Sequence, residues 1–151
     1  MGLIHVEATD VIAAPPEKIY AILTDYQVGH PAILPKPYFK ELLVEKGGQG
    51  AGTVTIGKML VLGREYKLHQ LVSEPEPGRL LMETGIETGE VTTFKLEPLI
   101  ADTQTRVTIA TDFIASPGLT GIFEKLAIPL ITGSIYKKEL KQLASYVGNR
   151  G

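Results

Sequence analysis

The chain reads as an α+β fold in which an antiparallel meander of short strands is closed by one long C-terminal helix. Three observations predict it. Between residues 38 and 114 six β-type runs follow one another, separated by Gly-rich, Pro-Gly, Thr-Gly and Ala-Asp turn signals. Ahead of them, one β-type run gives way at a pair of prolines to apolar residues at helical spacing. From residue 118 almost to the end, apolar residues again recur with helical period. At 151 residues the simplest organisation is a single domain over 1–151, large enough to bury about two thirds of its unfolded surface.

"LIHVEATDVI" opens as a strand. Pro15-Pro16 belongs in a first helical turn, and Ile19, Ile22, Leu23 and Tyr26 continue at helical spacing. "QVGHPAILPKPYF" carries Pro31, Pro35 and Pro37, which leaves room for at most a short helical turn, Ala32 to Leu34, in an ordered loop suited to the rim of a site. The six runs that follow are "YFKELLVEK", "GTVTIGKMLVL", "REYKLHQLVSE", "RLLMETGI", "EVTTFKLEPL" and "TRVTIATDFI". Alternation puts Arg64, Tyr66, Leu68, Gln70 and Val72 on one face of the third run and Glu65, Lys67, His69 and Leu71 on the other. The first set is the more apolar and is expected to point inward. The same reasoning places Leu80, Met82 and Thr84 inside, with Thr92, Phe94 and Leu96 and with Val107, Ile109, Thr111 and Phe113.

After Ser116-Pro117-Gly118 the closing helix aligns Ile122, Leu126, Leu130, Gly133, Tyr136, Leu140, Leu143 and Val147 along one stripe. Pro129 and Gly133 interrupt it one turn apart, although interior Pro costs about 3 kcal/mol and Gly about 1 kcal/mol relative to Ala. One reading is a bend at Pro129, with the small Thr132-Gly133-Ser134 stretch roofing a cavity. The other is that Pro129 joins two short helices and Gly133 admits a close backbone contact.

Composition narrows the function. The net charge of −2, with acids and bases interspersed, gives no electrostatic reason to expect nucleic acid or an anionic membrane as partner. Lys137, Lys138 and Lys141 are the densest basic spot and read as a solvated face near a helix C-terminus. The absence of cysteine rules out disulfides and thiolate chemistry and fits a cytoplasmic setting. No stretch reads as apolar enough for stable membrane insertion, and the N-terminus lacks the pattern of a signal peptide.

Two glycine motifs carry no chemistry. "GTVTIGK" matches a phosphate-loop spacing, but Met59 stands where Ser or Thr would hold magnesium and the intervening residues are β-branched strand text. "GGQGAG" reads as a hairpin loop. His5, His30 and His69 show no metal-ligand spacing, so no metal and no cofactor is expected. His69 reads as solvated, and His30 as a loop residue near a mouth. The sharpest polar residues are Arg64 and Gln70 flanking Tyr66 on the inward face. A buried guanidinium needs an anion. For Arg64 this is either a ligand oxygen or an internal acid such as Asp10, Glu83 or Asp112, unless the side chain reaches solvent at the strand end.

"VIAAPPEKIYAILTD" resembles the entry into the first helix of the START-like superfamily. "LVSEPEPGRLLME" resembles its strand-turn-strand, "FKLEPLIADTQTRVTI" its following hairpin, and the closing helix with its central Pro-Leu the polyketide cyclase/dehydrase-like branch. These segments together cover nearly the whole chain. The tryptophans that many relatives carry shortly after the Asp are absent from "DYQVGHPAILP". The resemblance implies the helix-grip fold, a curved seven-stranded antiparallel sheet wrapped around a long C-terminal helix, with short helices between the first two strands. It also implies a cavity between sheet and helix for an apolar small molecule such as a lipid, polyketide or isoprenoid. On that basis Arg64, Tyr66 and Gln70 would supply polar contacts, and Met82, Thr92, Phe94, Leu126, Leu130, Gly133 and Ser134 the wall and roof. The alternatives are a cyclase, dehydratase or isomerase, in which Tyr66 or His30 moves a proton and Arg64 stabilises an enolate, and a protein-interaction or chaperone-like module.

Overall fold

The computed structural model describes residues 2–61 and 63–149. Strand β1 (Leu3–Ile12) is followed by helices α1 (Pro16–Thr24) and α2 (Gly29–Ile33). Then come β2 (Phe39–Lys46), β3 (Val54–Val61), β4 (Arg64–Glu76), β5 (Leu80–Gly85), β6 (Val91–Leu99), β7 (Gln104–Ile114) and the closing helix α3 (Gly118–Asn149). The seven strands form one antiparallel sheet in the order β1-β7-β6-β5-β4-β3-β2. Consecutive strands from β2 to β7 are neighbours, as tight turns dictate. β1 and β2, adjacent in sequence, lie at opposite edges, because the segment carrying α1 and α2 crosses from one to the other. This is the helix-grip arrangement.

α1 buries Ile19, Tyr20, Ile22 and Leu23. α2 starts earlier than the expected turn at Ala32, for a local reason. The Asp25 carboxylate accepts hydrogen bonds from the backbone N–H groups of Gln27 (3.1 Å), Val28 (3.2 Å) and Gly29 (3.2 Å), which satisfies donors that a helix start otherwise leaves orphaned. Gly29 fits because a Cβ there would lie 2.7 Å from the Ile22 carbonyl oxygen.

Antiparallel partners share a face, so pairing registers define rows across the sheet. One row runs Val6, Thr111, Thr92, Glu83, Val72 and another Ala8, Ile109, Phe94, Leu81. Both lie on the covered face. They confirm the inward phase of Gln70 and Val72, of Thr92, Phe94 and Leu96, and of Val107, Ile109 and Thr111, and the outward phase of His69. They reverse the expected phase of β5. Leu81 and Glu83 point in, and Leu80, Met82 and Thr84 lie on the convex face. Both phases of "LLMETG" carry apolar residues, so hydrophobic counting favoured the wrong one.

α3 is a single helix running through Pro129, which therefore does not separate two shorter helices. Its second half follows the expected stripe, burying Tyr136, Leu140, Leu143 and Val147 in the core; Ile135 is buried as well. The first half does not. Ile122, Leu126 and Leu130 are 59%, 69% and 78% exposed, and with Leu119 and Phe123 they form an outer apolar stripe. α3 runs chiefly along β1, with α2 and α1 as its other main neighbours. Contrary to the reading of the sequence, α3 meets the length and composition of a membrane span, but its second half is core of this fold.

Candidate functional site

On the concave face the row Thr111, Thr92, Glu83 lies opposite the buried stripe of α3. Period-2 alternation turns these three side chains inward, and the helical spacing 132, 136, 139, 143 brings Thr132, Tyr136, Glu139 and Leu143 toward them. The result is a polar interior. The Thr92 and Thr111 hydroxyls lie 2.7 Å apart, and Thr111 also shares a hydrogen bond with the Tyr136 hydroxyl. Burial, with smaller repulsion from Glu139 and Glu83, pushes the Tyr136 phenol far up despite its threonine partners, so it stays neutral.

Glu83 is held from the other side by Tyr26, in the segment joining α1 to α2, and by His30 of α2. The Tyr26 hydroxyl donates to its carboxylate at 2.7 Å. His30 lies flat on Tyr26, with ring centroids 4.6 Å apart, and meets Phe94 edge-on at 5.3 Å. Its Nδ1–H donates to the Leu23 carbonyl at 2.7 Å, which leaves Nε2 3.6 Å from Glu83 Oε2. Burial first, then the charge of Glu83, holds the Tyr26 phenol well above its ordinary range, so it serves Glu83 as a donor.

Glu139, 2% exposed, faces this group from the helix. It makes no hydrogen bond or ion pair among the described residues. Its electrostatic neighbours are Glu83, Tyr26 and Tyr136, none a cation. Burial, reinforced by Glu83, lifts its carboxyl well above the usual range, which favours the neutral acid. Gln70, 8% exposed and on the same concave face, is likewise without a partner. Every described side-chain N or O atom sealed from water-sized space has a hydrogen-bond partner. The polar ends of Gln70 and Glu139 therefore border space large enough for water. Toward the sheet end the inward residues of β3 and β4 are less covered: Leu68 and Met59 are half-buried and Tyr66 is 44% exposed. The concave face thus runs from an accessible apolar rim to a buried polar floor.

The sequence-derived residues fall into three groups. Gln70, Thr92 and Phe94 lie inside. Arg64 and Tyr66 share the inward phase but stand exposed at the rim, where the Arg64 guanidinium lies 5.6 Å from the Tyr66 ring centroid. Arg64 makes no ion pair with Asp10, Glu83 or Asp112 and reaches solvent, because β4 begins beyond the end of β5. Met82 is on the convex face and Leu126, Leu130 and Ser134 are exposed, so these four stand away from the polar floor, while Gly133 stands over Val6, the β1 end of the row that carries Thr111, Thr92 and Glu83. His30 is buried in α2 rather than placed on a surface loop. The groups that the reading of the sequence missed are Tyr26, Glu83 and Glu139. Glu139 did carry a signal, since a glutamate occupies a core position of an amphipathic stripe. A crevice of about 280 Å³ opens between Gly2 and the 115–125 segment, away from these groups.

Among the described residues no cluster of His, Asp and Glu has the geometry of a metal site. What the floor can do chemically is donate and accept hydrogen bonds and hold a proton on a buried carboxyl.

Known structures share this architecture over almost their whole length. The KanY protein superposes with a TM-score of 0.84 at 28% identity, covering 98% of this chain and 99% of that one. The ZhuI aromatase/cyclase from Streptomyces sp. R1128 gives 0.81 at 19% identity, covering 99% and 96%. A START superfamily protein from Mycobacterium smegmatis gives 0.76 at 18% identity, covering 99% and 100%. No curated protein sequence matches the chain. The family model described as polyketide cyclase / dehydrase and lipid transport matches residues 4–148, from β1 to the end of α3, and the chain belongs to that family.

Proposed function

We propose that the protein binds an apolar small molecule, of the lipid, polyketide or isoprenoid kind, between the concave face of the sheet and α3. One observation carries this reading: two buried polar side chains, Gln70 and Glu139, lie unpartnered on a polar floor that continues to a more apolar, half-exposed rim at Leu68, Met59 and Tyr66. Leaving a buried polar group without a partner costs about 1–3 kcal/mol. A guest that satisfies both groups while burying apolar surface offsets that cost. The family description, which names both cyclases and lipid transport, agrees with such a site.

A second reading, a cyclase or dehydratase acting in the same place, is favoured by the Glu139, Glu83, Tyr26 and His30 group, in which a neutral acid lies beside a hydrogen-bonded carboxylate. Native mass spectrometry of protein from its own host, followed by organic extraction, separates the two. A stoichiometric apolar adduct recovered unchanged supports binding, and a chemically altered added compound supports turnover. Titration with a solvatochromic apolar dye locates the site. Leu68→Trp, which adds bulk at the half-buried rim, is expected to weaken dye binding about tenfold or more at an unchanged melting temperature. Full binding by a stable Leu68→Trp variant would place the site elsewhere.

A further inference from the structure

We propose that Glu139 is the polar anchor of this interior, its carboxyl donating a hydrogen bond to a carbonyl-type oxygen on an otherwise apolar guest. The inference rests on the binding reading above and adds to it the class of group recognised.

Its basis is the set of groups that face Glu139. From β5 comes Glu83, whose carboxylate already accepts the Tyr26 hydroxyl and lies near His30 Nε2. From the segment between α1 and α2 comes Tyr26; His30 of α2 stands behind it, beside Glu83, and is committed through Nδ1 to the Leu23 carbonyl. From α3 itself comes Tyr136, committed to Thr111. None of these is Lys or Arg, and Glu139 forms no ion pair with any described residue, so the protein provides no counter-charge for an ionised Glu139. A second carboxylate nearby acts against ionisation as well. The remaining state, a neutral acid, has an O–H to donate, and no described residue accepts it. At 2% exposure the group is nearly sealed from solvent, yet its oxygens still touch space large enough for a water molecule.

That combination selects among guests. A carboxylate guest meets Glu83 and is repelled. A hydrocarbon leaves the O–H unpartnered. A ketone, aldehyde or ester oxygen accepts it and brings no further charge into the buried interior. An ammonium guest would require Glu139 to ionise first, so its preference over a ketone tells against the proposal.

The test uses three guests of similar shape, acetylnaphthalene, isopropylnaphthalene and the corresponding naphthylethylamine, titrated calorimetrically into the full chain. The wild-type protein is expected to bind the ketone about tenfold more tightly than the hydrocarbon, the effect of one hydrogen bond, with the amine weaker than the ketone. Raising the pH until Glu139 ionises removes the ketone preference. Glu139→Leu is expected to bind ketone and hydrocarbon equally, and Glu139→Gln, which keeps an N–H donor but does not titrate, to retain a ketone preference independent of pH. Glu139→Gln also decides the matter should the leucine variant fail to fold. Ketone preference that survives in Glu139→Leu, or tighter binding of the amine by the wild type, overturns the proposal. Equal binding of ketone and hydrocarbon by the wild type overturns it too while leaving the binding reading intact. Failure of the wild type to bind any of the three at a one-to-one ratio removes the binding reading and this inference with it.

Discussion

Gly133→Ala, in the middle of α3, is expected to stabilise the protein, and the structure allows the effect to be worked out. A helix-interior glycine costs about 0.8–1.0 kcal/mol relative to alanine, because the unfolded chain loses more freedom in ordering it. The gain is realised only if the new methyl has room. A Cβ at Gly133 has one neighbour within 4 Å, Val6 Cγ1 at 3.9 Å, which is an ordinary van der Waals contact. The expected gain is therefore about 1 kcal/mol, or roughly 2–4 °C in Tm for a chain of this size. Gly121→Ala, the same change on the same helix, has the opposite sign, because a Cβ there collides with the Ser116 carbonyl oxygen. Its cost is about 1–3 kcal/mol. Both variants are followed by reversible thermal and urea unfolding. A drop in Tm for Gly133→Ala would mean that α3 approaches β1 more closely than described, and the close-contact reading of this glycine would return.

Asp25→Ala removes the side-chain acceptor shared by the N–H groups of Gln27, Val28 and Gly29, and is expected to cost about 1–2 kcal/mol in urea titrations at neutral pH. Burial works against the charge of Asp25, but the Gly29, Val28 and Gln27 amides and the Gln49 side chain outweigh it and hold the carboxyl below its usual value. Its contribution is therefore complete above the unfolded-state value of 3.8 and lost as the pH falls through the lower native value, so wild type and variant converge in acid. Glu139 has the opposite sign. Its native carboxyl holds its proton above 4.5, where the unfolded chain has released it, so stability falls as the pH rises beyond that value. Glu139→Gln is expected to flatten that decline and to exceed wild-type stability at alkaline pH by about 1–3 kcal/mol; a decline that persists unchanged in the variant would assign it to another group.

The order of the elements was legible because turn residues and two different periodicities punctuate this chain clearly. Which face of each element points inward was legible only where one phase is plainly more apolar. β6 and β7 meet that condition, with Phe94 and Leu96 or Val107 and Ile109 set against threonines and charges. β5 does not: Glu83 goes inside because Tyr26 and His30, more than fifty residues earlier, are positioned to satisfy it. The stripe on α3 was read correctly only where a sheet lies beneath it. Leu126 and Leu130 have the right spacing but little beneath them, since periodicity describes a helix and says nothing of where its support ends. Arg64 had the correct phase, and its exposure follows from strand stagger, a property of the sheet rather than of the segment. The polar floor draws on six separated stretches of chain, so no local motif announces it.

The separation of β1 from β2 has a consequence for how the molecule is made. β1 pairs only with β7, Leu3 opposite Ile114 and Ile12 opposite Thr105, and its covering helix is α3. During synthesis the first ten structured residues leave the ribosome about a hundred residues ahead of the partner that satisfies their backbone. Until then β1 is an alternating apolar strand with both edges unpaired, a form prone to pairing with other chains. The fold closes by joining its two termini, so assembly waits for translation of the last helix, and long-range closure of this kind places it among slower-folding topologies. Lesions that shorten α3 would leave β1 its partner β7 but strip the helix that covers its inner face.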